Sequence, residues 1–75
     1  MTLRERWTRA VSDARPYDDP RLWDVAVEYR AFDTCGFPWR LSVLIDGVPY
    51  SCACHDNPSD DYLLAVASIF WKGTK

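Results

Sequence analysis

The sequence predicts a small α+β domain in which two helices cover one face of a three-stranded antiparallel meander, in the order α-β-β-β-α. Three observations carry this prediction: a β-hairpin pattern around Asp46-Gly47, an alternating segment before it, and a helical pattern at each end. With 75 residues, the chain is expected to form a single domain over 1–75. Such a short chain buries only about 60% of its unfolded surface. Its four Trp, four Tyr and three Phe can compensate with large buried areas.

The first helix is predicted to begin after Thr2 and to end at Arg15-Pro16. Thr2 and Glu5 have the spacing of a capping box, in which each side chain bonds to the backbone amide of the other residue. Proline disfavours helical backbone in the residue before it, so the helix should stop there. The apolar stripe of this helix consists of Leu3, Trp7, Ala10, Val11 and Ala14.

The segment over residues 22–32 has two interpretations. As a strand, it alternates, with Trp23, Val25, Val27, Tyr29 and Ala31 on one face. As a helix over residues 20–33, it would begin with Asp19 as N-cap and Pro20 as first helical residue, and the order would become α-α-β-β-α. We favour the strand, because the alternation is regular and an isolated hairpin is only marginally stable without a third strand.

The hairpin can be assigned a register. Asp-Gly suits the two positive φ angles of a type I′ turn, and a two-residue loop at this position puts apolar residues opposite one another. The predicted pairs are Ile45 with Val48, Val43 with Tyr50, Leu41 with Cys52, and Trp39 with Cys54. In this register the backbone nitrogen of Pro49 faces away from the hairpin, so its strand must be an edge. The remaining strand should therefore pair along residues 39–45.

The last helix is predicted to start with Asn57 as N-cap and Pro58 as first helical residue, and to end at Gly73. Between Tyr62 and Trp71 only Ser68 is polar, which is more apolar surface than one sheet-facing stripe needs. The residues expected to face the sheet are Leu63, Val66, Ala67 and Phe70. Leu64 and Trp71 would then point sideways. Helix 1, a homodimer partner or a foreign protein could cover them, and we expect both residues to contribute to partner binding.

The order of elements resembles that of the double-stranded-RNA-binding domain, from the first strand through the closing helix. That family grips RNA with a Gly-Pro-x-His loop and with lysines that open the last helix. Here the loop covers residues 33–38 without that motif, and the helix opens with Ser59-Asp60-Asp61. Carboxylates at a phosphate-binding position would repel RNA. The resemblance therefore implies a fold, and direct nucleic-acid binding is not expected.

The cysteines and the single histidine offer the clearest chemistry. Cys35, Cys52, Cys54 and His55 amount to the four donors of a structural zinc site, and a small zinc-stabilised domain is one alternative. However, one residue between Cys52 and Cys54 on a strand points both thiols into the core face, so we expect buried thiols, no bound metal and no cofactor. His55 is expected to be an exposed residue at a strand end. No catalytic constellation can be assembled, and an enzyme is not expected.

Acidic residues are predicted to gather at one end of the sheet. The meander brings the end of the first strand, the start of the second and the end of the third together, and the acids concerned are Asp33, Asp56, Asp60 and Asp61. The alternative is that these acids only cap the local helix and loop. If they act together, they could bind basic residues of a nucleic-acid-binding protein by imitating phosphates, or bind a divalent cation.

These features favour a small, acidic, non-enzymatic protein-binding module. Stoichiometric inhibitors encoded by phages and mobile elements, such as anti-CRISPR proteins, are proteins of this type. A homodimer is a further expectation. The alternative is a nucleic-acid-binding domain that uses the arginines of helix 1. Those residues are Arg4, Arg6, Arg9 and Arg15. The formal net charge of −2 argues against this alternative. Without a signal-peptide pattern or a bilayer-length apolar run, a cytoplasmic protein that does not engage membranes is expected.

Overall fold

The predicted order of elements is confirmed. The computed structural model describes residues 1–30 and 36–73. Its elements are α1 (Leu3–Ala14), β1 (Trp23–Tyr29), β2 (Trp39–Ile45), β3 (Val48–Cys54) and α2 (Asp60–Lys72). The strands form one antiparallel sheet in the order β1-β2-β3. The segment after residue 22 is therefore a strand, and the helical interpretation of residues 20–33 is wrong for the part that the structure describes.

The hairpin has the predicted register. Asp46 and Gly47 have φ angles of 53° and 80°, as a type I′ turn requires. All four predicted pairs are present, from Ile45 with Val48 to Trp39 with Cys54. Pro49 of β3 lies opposite Leu44 of β2. Because proline has no N–H to donate to a further strand, β3 should be an edge strand, and it is one.

The odd-numbered residues of β1 and β2 and the even-numbered residues of β3 face the helices and form the core with them. Leu41, Val43 and Ile45 of β2 are almost fully buried, whereas Leu44 on the opposite face is 45% exposed. The buried helical residues are Trp7, Ala10 and Val11 of α1, and Leu63, Ala67, Phe70 and Trp71 of α2. All belong to one cluster, so the sheet has one covered and one open face.

The start of α1 is as predicted, and the start of α2 is not. Both bonds of the Thr2 and Glu5 capping box are present. In α2 the N-cap is Ser59, whose hydroxyl accepts the amide of Tyr62 at 3.1 Å, so the expectation of Asn57 as N-cap is wrong. The reason lies in tertiary contacts: Pro58 is fully buried and its carbonyl accepts a hydrogen bond from Arg6 at 2.6 Å. Pro58 is thus a core residue, and the helix begins after it.

Trp71 is buried beneath α1, which corrects the expectation that it points sideways toward a partner. It is 3% exposed, and its indole N–H donates to the carbonyl of Val11 at 2.9 Å. That carbonyl is one of the last four of α1, which lack an amide partner within the helix. The Trp71 ring also lies edge-on to Trp23, with centroids 6.5 Å apart. Trp71 is therefore a core residue that completes the hydrogen bonding of α1.

The C-terminus of α2 is completed by Arg21. The Arg21 guanidinium donates to the carbonyl of Trp71 at 2.9 Å, and its central carbon lies 5.4 Å from the centroid of the Trp71 ring. A cation at this position also complements the negative end of the helix dipole. Asp19 holds the guanidinium in place through contacts of 2.5 to 3.0 Å. The connection between α1 and β1 is thereby attached to both helix ends.

We predict that Trp71→Phe lowers the free energy of unfolding more than Trp39→Phe, which removes an indole N–H at the surface. The Val11 carbonyl would stay buried without its partner, which costs about 1–3 kcal/mol. Trp71→Ala, which also leaves a cavity, should cost about 3–5 kcal/mol. The matched control is Trp39→Phe, because the Trp39 indole N–H bonds to the exposed Asp56. Denaturant unfolding measures all three variants. Equal losses for Trp71→Phe and Trp39→Phe would contradict the assigned role of the buried bond.

We also predict that Asp19 makes folding stability depend on pH in acid. Hydrogen bonds from Arg21 lower the pKa of Asp19 from 3.8 to about 2. Since the pKa is lower in the folded chain, the ionised carboxylate stabilises the fold above its ordinary pKa, and this contribution is lost as pH falls from about 4 to about 2. Asp19→Asn should flatten the pH dependence of the melting temperature in that window. Asp18→Asn controls for loss of charge in the same turn, and an unchanged slope in Asp19→Asn would contradict the prediction.

Candidate functional site

Aromatic side chains gather where β1 ends, β2 begins and β3 ends, beside the first turn of α2. We call this surface the aromatic end, and its members are Tyr29, Phe37, Trp39, His55 and Tyr62. The antiparallel meander brings three of the positions together, because Tyr29 pairs with Trp39 and Trp39 pairs with Cys54, next to His55. The amide of Arg30 donates to the carbonyl of Pro38 at 2.5 Å and continues the ladder past the strands. The aromatic end is thus fixed by the sheet register.

The rings of the aromatic end contact one another in two groups. The His55 ring lies between Phe37 and Tyr62, with centroids 5.7 Å and 6.3 Å away. Tyr29 and Trp39 meet edge to face, with centroids 4.8 Å apart. Offset and edge-to-face contacts of this kind stabilise each ring pair by about 0.5–1.5 kcal/mol. The rings therefore support one another in defined positions at the surface.

Four of these five rings are exposed to solvent, and Trp39 is half-buried against the core. Tyr29 is 55% exposed, Phe37 is 46% exposed and Tyr62 is 37% exposed, whereas Trp7 is fully buried in the core. Exposed aromatic side chains are typical of interaction surfaces, since such rings combine large contact area with low conformational entropy. The aromatic end is the surface of this kind that the described part of the chain presents most clearly.

Two of the four acidic residues predicted to act together bond to different side chains. Asp56 accepts a hydrogen bond from the indole of Trp39 at 3.0 Å, and Asp60 pairs with the guanidinium of Arg6 at 2.8 Å. Asp61 is exposed at the start of α2. Asp33 lies outside the described residues. Asp56 and Asp60 therefore each bond to one side chain of another element, and of these two contacts only that of Asp60 is with a cation.

Leu64 lies away from the sheet-facing stripe of α2 and is partly exposed. It is 40% exposed and lines a shallow cleft of about 130 Å³ between α1 and the start of α2. Arg6, Asp60 and Asp61 line the same cleft. The side chain is thus accessible, unlike that of Trp71, and the cleft around it is lined by charged side chains together with Ala10 and Leu63.

The two described cysteines behave as core thiols. Cys54 is fully buried and Cys52 is half-buried, on the face of the sheet that packs against the helices. Burial raises the pKa of Cys54 to about 11 and also raises the pKa of Cys52. Cys35 lies outside the described residues. Within residues 1–30 and 36–73, no cluster of three His, Cys, Asp or Glu side chains is arranged to hold a metal ion.

Most arginines of α1 and its C-cap make contacts within the chain. Arg6 bonds to Asp60 and to the Pro58 carbonyl, Arg15 donates to the Asp19 carbonyl, and Arg9 lies 3.8 Å from Asp13. Of these arginines, Arg6 is the one whose guanidinium joins α1 to the start of α2 through several hydrogen bonds. As for membranes, none of the helices in the described residues combines the length and the apolar character that a bilayer span requires.

Sequence patterns did not single out Phe37, His55 and Tyr62 as members of one site. They come from a loop, a strand end and a helix start, so no periodicity links them. The hairpin register could have revealed their proximity, because the pairing of Trp39 with Cys54 places residues 37–39 beside residues 54–56.

We predict that both described thiols resist alkylation in the folded protein. A pKa of about 11 leaves Cys54 roughly 100-fold less thiolate at pH 8 than an ordinary cysteine, and burial excludes the reagent as well. In a Cys35→Ser background, modification by iodoacetamide should therefore be about 100-fold slower in buffer than in denaturant, as read by mass spectrometry. Rapid labelling of Cys54 in the folded chain would contradict the assigned burial.

Comparisons with protein-family models, with curated protein sequences and with solved structures find no significant match to this chain. The likeness to the double-stranded-RNA-binding domain is therefore a likeness in the order of elements. The functional argument accordingly rests on the geometry of the chain itself, and above all on the aromatic end.

Proposed function

We propose that this chain is a non-enzymatic protein-binding module that docks through its aromatic end. The observation that carries the proposal is the exposed His55 ring held between Phe37 and Tyr62, beside the exposed Tyr29. In a chain this small, burial of these rings would have added to a limited core. Their placement at the surface favours an intermolecular role, because aromatic side chains are enriched among the residues that dominate protein interfaces.

The chemistry around His55 supports binding rather than catalysis. Its ring contacts two aromatic rings, and the adjacent Cys54 is buried on the core face of the sheet with a raised pKa. A cysteine nucleophile needs a lowered pKa and a base within hydrogen-bond reach. Neither condition holds for this pair.

Acidic residues near the aromatic end favour a partner with basic groups. Asp56 bonds to the neutral indole of Trp39 and keeps its charge. Glu28, one residue before Tyr29, already pairs with Arg30 at 3.0 Å. The formal net charge is −2. We therefore propose the finer function of a stoichiometric inhibitor, of the kind made by phages and mobile elements, that covers a nucleic-acid-binding surface of its partner. Aromatic anchors would supply the affinity, and the acidic residues would steer the encounter.

The test uses single substitutions in the aromatic end and compares the proteins that each variant captures from extract of the source cells. Tyr29→Ser and Phe37→Ser should each weaken binding of the captured partner by about 30-fold or more, which corresponds to about 2 kcal/mol. The matched control is Tyr17→Ser, because Tyr17 is 99% exposed and lies in the turn after α1. Titration calorimetry with the purified partner measures the dissociation constants, and thermal melts verify the folding of each variant.

Two results would count against the proposal. If Tyr17→Ser weakened binding as much as Phe37→Ser, the effect would not belong to the aromatic end. If binding were unchanged in both aromatic-end variants, the docking surface would lie elsewhere. For the inhibitor function, the partner's affinity for its nucleic acid should fall in the presence of this chain, and equal affinity with and without it would refute that function.

A further inference from the structure

The two edges of the sheet differ in how far they are blocked. On β3, the residues whose backbone groups face outward are Pro49, Ser51 and Ala53. Pro49 has no N–H, and the Ala53 carbonyl lies 3.5 Å from the hydroxyl of Tyr62. Proline and covering side chains are the devices by which proteins prevent an edge from pairing with another strand. The β3 edge therefore has such protection at two of its three outward positions.

The β1 edge has no comparable protection. Two hydrogen bonds mark the ends of the ladder between β1 and β2. At one end the Leu22 carbonyl accepts from the Asp46 amide at 2.8 Å, and at the other the Arg30 amide donates to the Pro38 carbonyl. Even-numbered residues of β1 therefore bond to β2, and odd-numbered residues direct their N–H and C=O groups outward. The outward residues are Trp23, Val25, Val27 and Tyr29. Within residues 1–30 and 36–73, no backbone partner lies on this side of β1.

A cleft of about 400 Å³ lies between Trp23 and the outer face of α1. This face carries Arg4 and Glu5 in its first turn, Arg9 in its middle, and Ser12 and Asp13 in its last turn. When two such faces meet antiparallel, Arg4 of each copy comes close to Asp13 of the other. The charge pattern is therefore self-complementary about a two-fold axis.

We propose that a second copy of this chain pairs antiparallel with β1, so that two three-stranded sheets join into one of six strands. The interface shares Tyr29 with the aromatic end, whereas Phe37, His55 and Tyr62 lie outside it. The proposal does not rest on the proposed function. Each copy would supply the same backbone donors and acceptors, as an isologous contact requires. The two α1 helices would flank the axis and fill the cleft beside Trp23.

Charge selects the register. Pairing centred on Ala26 would put Asp24 opposite Glu28 of the other copy, and like charges in direct opposition are destabilising. Pairing centred on Val27 instead puts Glu28 opposite Ala26, and Asp24 opposite Arg30, which also pairs with Glu28 of its own chain at 3.0 Å. In this register Val27 forms a hydrogen-bonded pair with its own symmetry mate. The outward N–H of Val27 in each copy then donates to the Val27 carbonyl of the other copy, at the centre of the interface.

The experiment removes one hydrogen-bond donor without altering any side chain. Total chemical synthesis of the 75-residue chain allows Val27 to carry an N-methyl group. Sedimentation equilibrium should show a dimer of the unmodified chain, and N-methylation should raise the dimer dissociation constant at least 100-fold. The matched control is N-methyl-Ser51, which blocks an outward amide on β3 and should leave the constant within about 3-fold.

The outcomes are distinct. A monomer at concentrations up to about 1 mM would overturn the proposal. So would equal weakening by N-methyl-Val27 and N-methyl-Ser51, because the effect would then not be specific to the β1 edge. Capture of a partner by the aromatic end would survive either result. Circular dichroism verifies that both synthetic variants keep the fold.

A charge exchange tests the register. Asp24→Arg should raise the dissociation constant about 10-fold by opposing Arg30 of the other copy. Adding Arg30→Glu should restore most of the lost affinity, because the pair regains opposite charges. A double variant as weak as Asp24→Arg alone would overturn the register centred on Val27.

Discussion

The hydrogen bond from the Trp71 indole to the Val11 carbonyl is the contact on which the arrangement of the helices depends. It joins the last turn of α1 to the last turn of α2 and satisfies a backbone acceptor that the helix itself cannot. At the opposite end, Arg6 joins α1 to the start of α2 through Pro58 and Asp60. The two helices are thus attached at both ends and run side by side in the same direction. The sheet then packs against one continuous helical layer.

The aromatic residues divide into two sets with different roles. Trp7 and Phe70 meet edge to face at 6.1 Å in the core, and Tyr50 stacks on Phe70 at 5.6 Å. The Trp7 indole also donates to the Ser42 carbonyl at 2.9 Å. These rings supply burial that a short chain has difficulty providing otherwise. The rings of the aromatic end add less to the core, and we have therefore proposed them as a recognition surface.

Local rules predicted much of the fold. The Asp46-Gly47 turn and the alternation around it determine the register of β2 and β3, and the capping box determines the start of α1, because both signals lie within a few residues. Trp71 and Ser59 could not be placed in this way. Their environments are created by α1, which is distant in sequence, and propensity contains no information about such contacts. The tilted contact of Phe37 with His55 likewise joins residues that lie 18 positions apart, and no local pattern links them.

The protection of β3 limits the size to which strand pairing can build an assembly. Pro49 removes a donor and Tyr62 covers an acceptor on that edge, so β1 is the edge better suited to accept another strand. A sheet with two open edges could add neighbours repeatedly and grow into a filament, as exposed edges do in aggregation. With one edge blocked, growth ends once the other edge is occupied. Pro49 thus identifies β3 as an edge strand and also prevents further strands from adding to it.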